Sequence, residues 1–154
     1  MKKRYLLFAI LLIALGLRLY NLNAISLWHD EAFSALLIKY SWQEMFYRIG
    51  LDVHPPMYYV FLRLWHYVLG DSLWALRGMS VFFGVLTVWA AWLFTRAVLT
   101  PNSKHPGQKA ENIALLAAAL VAVNPFQVEY VTEARMYTMG GFFVVLAAYF
   151  LIQG

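Results

Sequence analysis

Four long apolar runs divide this chain, and their length matches a lipid bilayer. A helix needs roughly 20 mainly apolar residues to cross, and four runs approach this length: residues 5–20, 76–98, 110–125 and 139–152. Hydrophobic residues make up 62% and charged residues 13% of the chain, whereas soluble domains are about half apolar and about a quarter charged. The sequence therefore predicts an all-α polytopic membrane protein, with about four transmembrane helices in one module spanning residues 1–154.

The N-terminus allows two interpretations. Lys-Lys-Arg at residues 2–4 precedes the first run, as at the start of a signal peptide. No small-residue cleavage site follows closely, because the chain continues as RLYNLNAISLW. We therefore expect a retained signal-anchor helix, with the long side chain of Arg18 reaching outward to the membrane interface.

The distribution of basic residues orients the predicted helices. Basic residues favour the cytoplasmic side, so the Lys-Lys-Arg start places the N-terminus in the cytoplasm and residues 21–75 in a first outer loop. More basic residues fall in or beside a cytoplasmic loop at 99–109, and a second outer loop covers 126–138. Both acidic clusters of the chain then lie on the outer face.

A fifth apolar segment, residues 56–69, is interpreted as an amphipathic helix lying on the membrane surface. It contains Arg63 and His66 within too few residues to cross comfortably, and charges near the bilayer centre are costly. If it did cross, the basic loop would lie outside and the acidic clusters would face opposite sides. The first outer loop is therefore predicted to carry interfacial helices.

Composition excludes several classes. The chain has no cysteine, so it can form neither a disulfide framework nor a thiolate metal site. The net charge of +4 comes from scattered basic residues, which do not form the basic stripe expected of a nucleic-acid-binding protein. Charges occur at helix ends and not at mid-membrane depth, which disfavours a transporter or channel.

The sequence LWHDEAFS contains the first candidate site, Asp30 and Glu31. Acidic residues at a helix start complement the helix dipole, so a solvated helix N-terminus is one interpretation. The other is chemical: a carboxylate near the membrane surface can act as a general base toward an acceptor hydroxyl. Partial burial among neighbouring apolar side chains would raise its pKa toward that role.

The second candidate is DVHPPMYY, with Asp52 and His54. A histidine beside prolines commonly forms hydrogen bonds within a loop. Asp52, His54 and Asp30 together could also hold a divalent cation, since carboxylate and imidazole suit several metals. The spacing is not dense, so the metal signal is weak and the cofactor stays unknown.

The third candidate is VEYVTEARMYTM, residues 128–139. If this segment is helical, Glu129, Glu133 and Tyr137 share one face at spacings of four. Arg135 then points elsewhere and can bind an anion through bidentate hydrogen bonds. A lipid headgroup bound to Arg135, or ordinary helix stabilisation, explains the same residues.

These motifs, in this order, resemble the protein O-mannosyltransferase-like branch of the C-type (GT-C) membrane glycosyltransferases, which includes lipid A aminoarabinose transferases. The resemblance rests on LWHDEAFS, HPPMYY, LRGMSVFFGVLTVWAAWLFTRAVL and NPFQVEYVTEARMY, and runs from Arg18 to Tyr137. It implies a helical bundle that extends beyond this chain, with interfacial helices in the first outer loop, and a bacterial inner-membrane location.

The resemblance also implies roles for single residues. Asp30 would be the catalytic base of an inverting transfer from a polyprenyl-phosphate sugar to an unknown acceptor on the outer face, with Glu31 as its acidic neighbour. The substrate-binding residues would be Asp52, His54, Glu133, Arg135 and Tyr137, with Arg135 on the lipid phosphate.

Relatives in this family are several times longer, so this chain is expected to be an N-terminal part of a larger GT-C bundle. A missing C-terminal portion or a second chain would complete the donor cavity, and the chain alone is expected to be nearly inactive. The alternative is a small non-catalytic membrane subunit, or a remnant, that binds lipid phosphate or partner helices.

Overall fold

The structure, a computed structural model, describes residues 2–20, 22–24, 26–52, 54–100 and 107–154, and all regular secondary structure in these ranges is helical. A 3₁₀ turn at Tyr130–Thr132 separates the last two helices. The helices are α1 (Lys2–Leu19), α2 (His29–Leu37), α3 (Trp42–Gly50), α4 (Pro56–Leu69), α5 (Leu73–Leu99), α6 (Gln108–Val123), α7 (Pro125–Glu129) and α8 (Tyr137–Gln153). The predicted all-α class is confirmed.

Helix length and composition test the predicted crossings. Among the described residues, α5 is the one continuous helix long and apolar enough to cross a membrane; its 27 residues extend about 40 Å. The pair α6 and α7 passes the same test together, with a bend of 56° between them. Helix α1 carries four basic residues and α8 has 17 residues. Crossing by all four segments stays a prediction.

Helix α5 is the centre of the structure and packs against α1, α4, α6 and α8. On one side it shares a cluster of small and branched apolar side chains with α1 and α6, which includes Ala14, Val88 and Ala118. On the other side it joins α3, α4 and α8 through Met45, Leu62 and other buried side chains. Small residues at the first contact let the helix backbones approach closely.

Local signals fix where the helices between α1 and α6 begin and end. The Ser41 hydroxyl accepts the Glu44 N–H at the start of α3, and Ser72 caps α5 in the same way. Helix α4 begins with Pro56, whose missing N–H costs nothing in a first turn. It ends at Gly70, whose φ of 81° is a left-handed conformation that favours glycine. These ends place α4 beside the N-terminal half of α5, where the Trp65 indole donates to the Ala75 carbonyl at 2.8 Å.

Arg18 joins α1 to the break between α6 and α7. Its side chain is fully buried, and its guanidinium donates to the carbonyls of Ala14 at 3.2 Å, Ala122 at 3.0 Å and Val121 at 3.5 Å. Pro125 has no N–H to offer the Val121 carbonyl four residues earlier, so Arg18 supplies the missing donor. The side chain turns into the protein and does not reach outward as the sequence suggested.

Gly84 lies where α5 meets this junction, and alanine there is expected to destabilise the protein. An added Cβ would lie 2.7 Å from Val131 Cγ1 and 2.9 Å from Arg18 Nε, both buried. Overpacking of this kind costs about 1–3 kcal/mol, whereas alanine gains about 1 kcal/mol over glycine in a helix. Thermal unfolding in detergent should therefore show a lower melting temperature for Gly84→Ala.

Gly140 in α8 is the matched control, because an added Cβ there meets nothing within 4 Å. Gly140→Ala should be neutral or stabilising by up to about 1 kcal/mol. Equal effects of the two substitutions would contradict the close approach at Gly84.

Candidate active site

A buried ion pair connects the start of α2 and the segment before α8 to α5. Glu31 is fully buried, and its carboxylate accepts two hydrogen bonds from Arg77, from Nε at 2.8 Å and from Nη2 at 2.7 Å. The same carboxylate accepts the Ala134 backbone N–H at 2.8 Å. Arg77 also donates to the Leu22 carbonyl at 2.6 Å. One bidentate pair thus joins the start of α2, the second turn of α5 and the segment before α8.

The two acidic clusters therefore lie at the same end of the helices and contact each other directly. Besides the bond from Ala134 to Glu31, the Ser80 hydroxyl of α5 donates to the Glu133 carbonyl at 2.7 Å. A shared site requires this placement, since residues on opposite membrane faces could not act together. The structure brings the first and third candidate motifs together.

Beside the buried pair, four candidate side chains form a polar chain. Arg135 lies between Asp30, whose Oδ2 is 3.4 Å from its Nη1, and His54, whose Nε2 is 3.1 Å from its Nη2. The other ring nitrogen of His54 lies 2.8 Å from Asp52 Oδ2. The contact with Asp52 is close but lacks hydrogen-bond geometry, because the buried Nδ1 has no hydrogen-bond partner within the described residues. The order is Asp30–Arg135–His54–Asp52.

The side chains of this polar chain differ in their exposure to solvent, and this difference separates the roles that Arg135 and Asp30 can play. The Arg135 side chain is 8% exposed, whereas that of Asp30 is 39% exposed. Asp30 is thus the carboxylate that a dissolved or membrane-bound hydroxyl can reach. Its neighbour Glu31 is enclosed and engaged by Arg77, so Glu31 can hold Asp30 in place but cannot meet an acceptor.

Arg135 is a fixed cation with capacity to bind an anion. Burial alone lowers its pKa, but a hydrogen bond with Tyr137 and the charge of Asp30 outweigh this, and the pKa is raised overall. Its buried Nε has no hydrogen-bond partner within the described residues. The guanidinium carbon also lies 5.8 Å from the centre of the Tyr137 ring, a cation–π arrangement. These contacts orient the guanidinium toward the site.

The helical interpretation of residues 128–139 is wrong. Helix α7 ends at Glu129, a 3₁₀ turn follows, and Glu133 has an extended backbone with φ of −114° and ψ of 131°. Tyr137 opens α8, so Glu129, Glu133 and Tyr137 share no helical face. The physical reason lies at Ala134: its N–H bonds to a buried carboxylate in place of a carbonyl one turn earlier.

Glu133 makes stability depend on pH. Burial raises its pKa, and the charge of Glu31 adds to the rise. The ordinary pKa of a glutamate is 4.5. Between this value and the raised pKa, the folded state binds more protons than the unfolded chain, so the stability of the protein falls as pH rises through that window. We expect Glu133→Gln to flatten this fall in melting temperature. Glu44→Gln, at an exposed acid paired with Arg48, should leave the curve parallel to wild type, and parallel curves for both variants would contradict the assignment.

The metal hypothesis gains no geometric support. Across the described ranges, no three histidine, aspartate or glutamate side chains lie close enough to hold a metal ion. Of the suggested set, Asp52 pairs with His54, but Asp30 is bound to Arg135. The guanidinium of Arg135 therefore takes the position beside Asp30 that a shared metal ion would need.

An open cavity of about 260 Å³ is lined by Trp28, Arg77, Glu129, Thr132 and Glu133. Sequence reasoning treated Arg77 as an arginine at a helix end and gave no role to Thr132. The charges of the two residues could have indicated the pair between Arg77 and Glu31. Arg77 lies just inside an apolar span, where a charge needs a partner, and no lysine or arginine is adjacent to Glu31 in sequence.

The fold points to a class. Among the described residues, the secondary structure is all helical and includes one continuous helix long and apolar enough to cross a membrane, which is consistent with part of a GT-C membrane protein. A comparison with protein families gives the family: the sequence model of dolichyl-phosphate-mannose-protein mannosyltransferases matches residues 53–154, two thirds of the chain. The chain belongs to this family, which is integral to membranes.

The matched region contains His54, Glu133 and Arg135, and it begins after Asp30 and Glu31. Family membership therefore does not by itself assign the role of Asp30. No curated protein and no solved structure matches the chain significantly.

Proposed function

We propose that this chain forms the donor-binding and base-bearing part of a glycosyltransferase that uses a polyprenyl-phosphate sugar. The observation that carries the proposal is the position of Arg135, between the reachable carboxylate of Asp30 and the imidazole of His54. A base and an anion-binding cation in contact are what phosphate displacement by a hydroxyl requires.

The reaction follows from this pair. An acceptor hydroxyl attacks the anomeric carbon of the donor sugar while Asp30 takes its proton. The bond between that carbon and the phosphate oxygen breaks, and the polyprenyl phosphate leaves with its negative charge held by Arg135 and His54. Attack opposite to the leaving group inverts the anomeric carbon. A phosphate is a good leaving group, so no strong general acid is needed.

The contact between Asp30 and Arg135 suits a site that awaits its substrate. Their separation of 3.4 Å exceeds the roughly 2.7–2.9 Å of a strong charge-assisted bond. A phosphate binding to Arg135 would displace the carboxylate and leave it free to act as the base. The nearby carboxylate of Asp52 would help to hold the imidazole of His54 beside Arg135, and Glu31 would position the helix start that bears Asp30.

The location follows from the charge bias of the loops. We place the site on the outer face of a bacterial plasma membrane, with the N-terminus in the cytoplasm. Helices α3 and α4 would lie at the interface, where their exposed apolar side chains, such as Phe46 and Phe61, face lipid and the polyprenyl tail. Further helices, from more of the chain or from a second chain, would complete the donor cavity around an acceptor that stays unknown.

Binding of polyprenyl phosphate by the full-length protein tests the proposal. Arg135→Gln should weaken binding by about 10- to 100-fold, since a hydrogen bond to a charged group contributes about 1.5–3 kcal/mol. Arg48→Gln, at an exposed arginine paired with Glu44, should bind like wild type. The proposal fails if wild type binds no polyprenyl phosphate, or if Arg135→Gln binds it equally well. Lipid binding without any sugar transfer would favour the non-catalytic alternative.

A further inference from the structure

The imidazole of His54 is held by few polar contacts. Its Nε2 lies 3.1 Å from Arg135 Nη2, but its buried Nδ1 has no hydrogen-bond partner within the described residues. The outer torsion of a histidine side chain has broad energy minima, so a single hydrogen bond leaves the angle of the ring poorly defined. The side chains that pack against the imidazole must therefore set its position beside Arg135.

Two aromatic side chains from different helices pack against this imidazole. The Tyr59 ring, in α4, lies edge-on to it with 6.2 Å between the ring centroids. The Phe33 ring, in α2, also lies 6.2 Å from it. The Tyr59 and Phe33 rings contact each other edge to face at 6.5 Å. Aromatic rings at such distances attract one another, so the three rings restrict one another.

Tyr59 also reaches the helix that carries Asp30. Its side chain is almost fully buried, and its hydroxyl meets the Ser34 side chain without the geometry of a full hydrogen bond. Burial raises the pKa of this hydroxyl and the Ser34 contact lowers it by less, so the hydroxyl keeps its proton at neutral pH. The buried Ser34 hydroxyl in turn donates to the Asp30 carbonyl at 3.1 Å. One buried tyrosine thus contacts both the imidazole and α2.

We propose that Tyr59 and Phe33 are positioning residues for the His54 imidazole. Their rings keep this imidazole against the guanidinium of Arg135, and the Tyr59 hydroxyl holds α2 beside it through Ser34. The inference rests on the proposed function, because the anion that the imidazole and the guanidinium would bind is the donor phosphate. It gives α4 a part in the site, although α4 carries none of the candidate catalytic groups.

Binding of polyprenyl phosphate by the full-length protein in detergent tests the proposal as a double-mutant cycle. His54→Ala and Tyr59→Leu should each weaken binding about tenfold, because each aromatic contact changes an equilibrium by about two- to tenfold. In the His54→Ala background, Tyr59→Leu should cause no further loss, since the ring that it positions is gone. A purely structural role of Tyr59 would not produce this coupling.

Two more variants sharpen the test. Tyr59→Phe keeps the ring and should bind within about threefold of wild type. Phe33→Leu, at a partly buried side chain, should weaken binding about fivefold and should also add nothing in the His54→Ala background. It keeps the proposal testable if Tyr59→Leu does not fold.

Phe83→Leu is the matched control. Phe83 belongs to the same buried core cluster as Tyr59, is 5% exposed, and has its ring contacts with other phenylalanines. Its substitution should lower the melting temperature, as Tyr59→Leu does, and leave binding of polyprenyl phosphate by the folded protein unchanged.

The outcomes separate this inference from the proposed function. If wild type binds no polyprenyl phosphate, or if Arg135→Gln binds it equally well, the proposed function fails and the positioning role fails with it. If Arg135→Gln weakens binding but Tyr59→Leu and Phe33→Leu bind like wild type, the positioning role is overturned and the proposed function stands. Losses that add in full to that of His54→Ala, or an equal loss in Phe83→Leu, would overturn it in the same way.

Discussion

Asp30→Asn should reduce the rate of sugar transfer by the full-length protein by about 10²- to 10⁴-fold, the usual contribution of a general base. The substitution keeps the shape of the side chain and removes its ability to take a proton. Protein stability should change little, since the Asp30 side chain is 39% exposed and its contact with Arg135 is 3.4 Å long. The measurement is initial rate with a radiolabelled polyprenyl-phosphate sugar, alongside the melting temperature of the same preparation.

Asp71→Asn is the control for that experiment. Asp71 also lies between α1 and α5, but it is 64% exposed and pairs with Lys39 at 2.9 Å. The transfer rate of Asp71→Asn should equal that of wild type. Full activity of Asp30→Asn in a folded protein would reject the base assignment, whereas loss of activity in both variants would point to a general effect of charge in this part of the chain.

Arg77→Met should have the largest effect on stability, about 3–5 kcal/mol, because removal of one partner leaves a buried charge uncompensated. The Glu31 carboxylate would keep the Ala134 N–H as its hydrogen-bond donor, which does not replace two bonds from a guanidinium. Thermal unfolding in detergent measures the loss. The variant should also lose sugar transfer, since the carboxylate that orients Asp30 would be free to move.

Arg48→Met is the matched control, because its pair with Glu44 is exposed and spans one helical turn; exposed pairs contribute about 0–1 kcal/mol. A second variant isolates the charge. Glu31→Gln combined with Arg77→Met removes both charges and should recover part of the loss, although the Leu22 carbonyl still lacks its donor. Additive losses in the double variant would show that the two side chains do not stabilise each other.

Sequence patterns were sufficient to predict the convergence of Asp30 and Arg135. The prediction used two rules. Loops rich in basic residues lie on the cytoplasmic side, and a short apolar segment that contains Arg63 and His66 does not cross the membrane. Together they placed both acidic loops on one face, and in the structure these loops contact each other. The helical class followed from composition in the same way, because it depends on summed properties of many residues.

The buried contacts could not be predicted, because they depend on single atoms. Nothing in LRGMSVFF says that Arg77 turns inward to Glu31, 46 residues earlier. The break in residues 133–136 was missed for the same reason: local spacing favours a helix, and one backbone bond to a distant carboxylate overrides it. Arg18 was expected at the membrane interface, because no local pattern in the sequence shows that Pro125 leaves a carbonyl without its usual N–H donor.

The hydrogen bonds from Arg18 to α6 can form only after α6 has been synthesised. Two of its three carbonyl partners belong to Val121 and Ala122, which a ribosome adds about a hundred residues later. Until then the first helix carries a guanidinium that is only partly satisfied, by Ala14 within its own turn. We therefore expect the charged end of the newly made helix to stay hydrated until α6 has been synthesised and can supply these carbonyls.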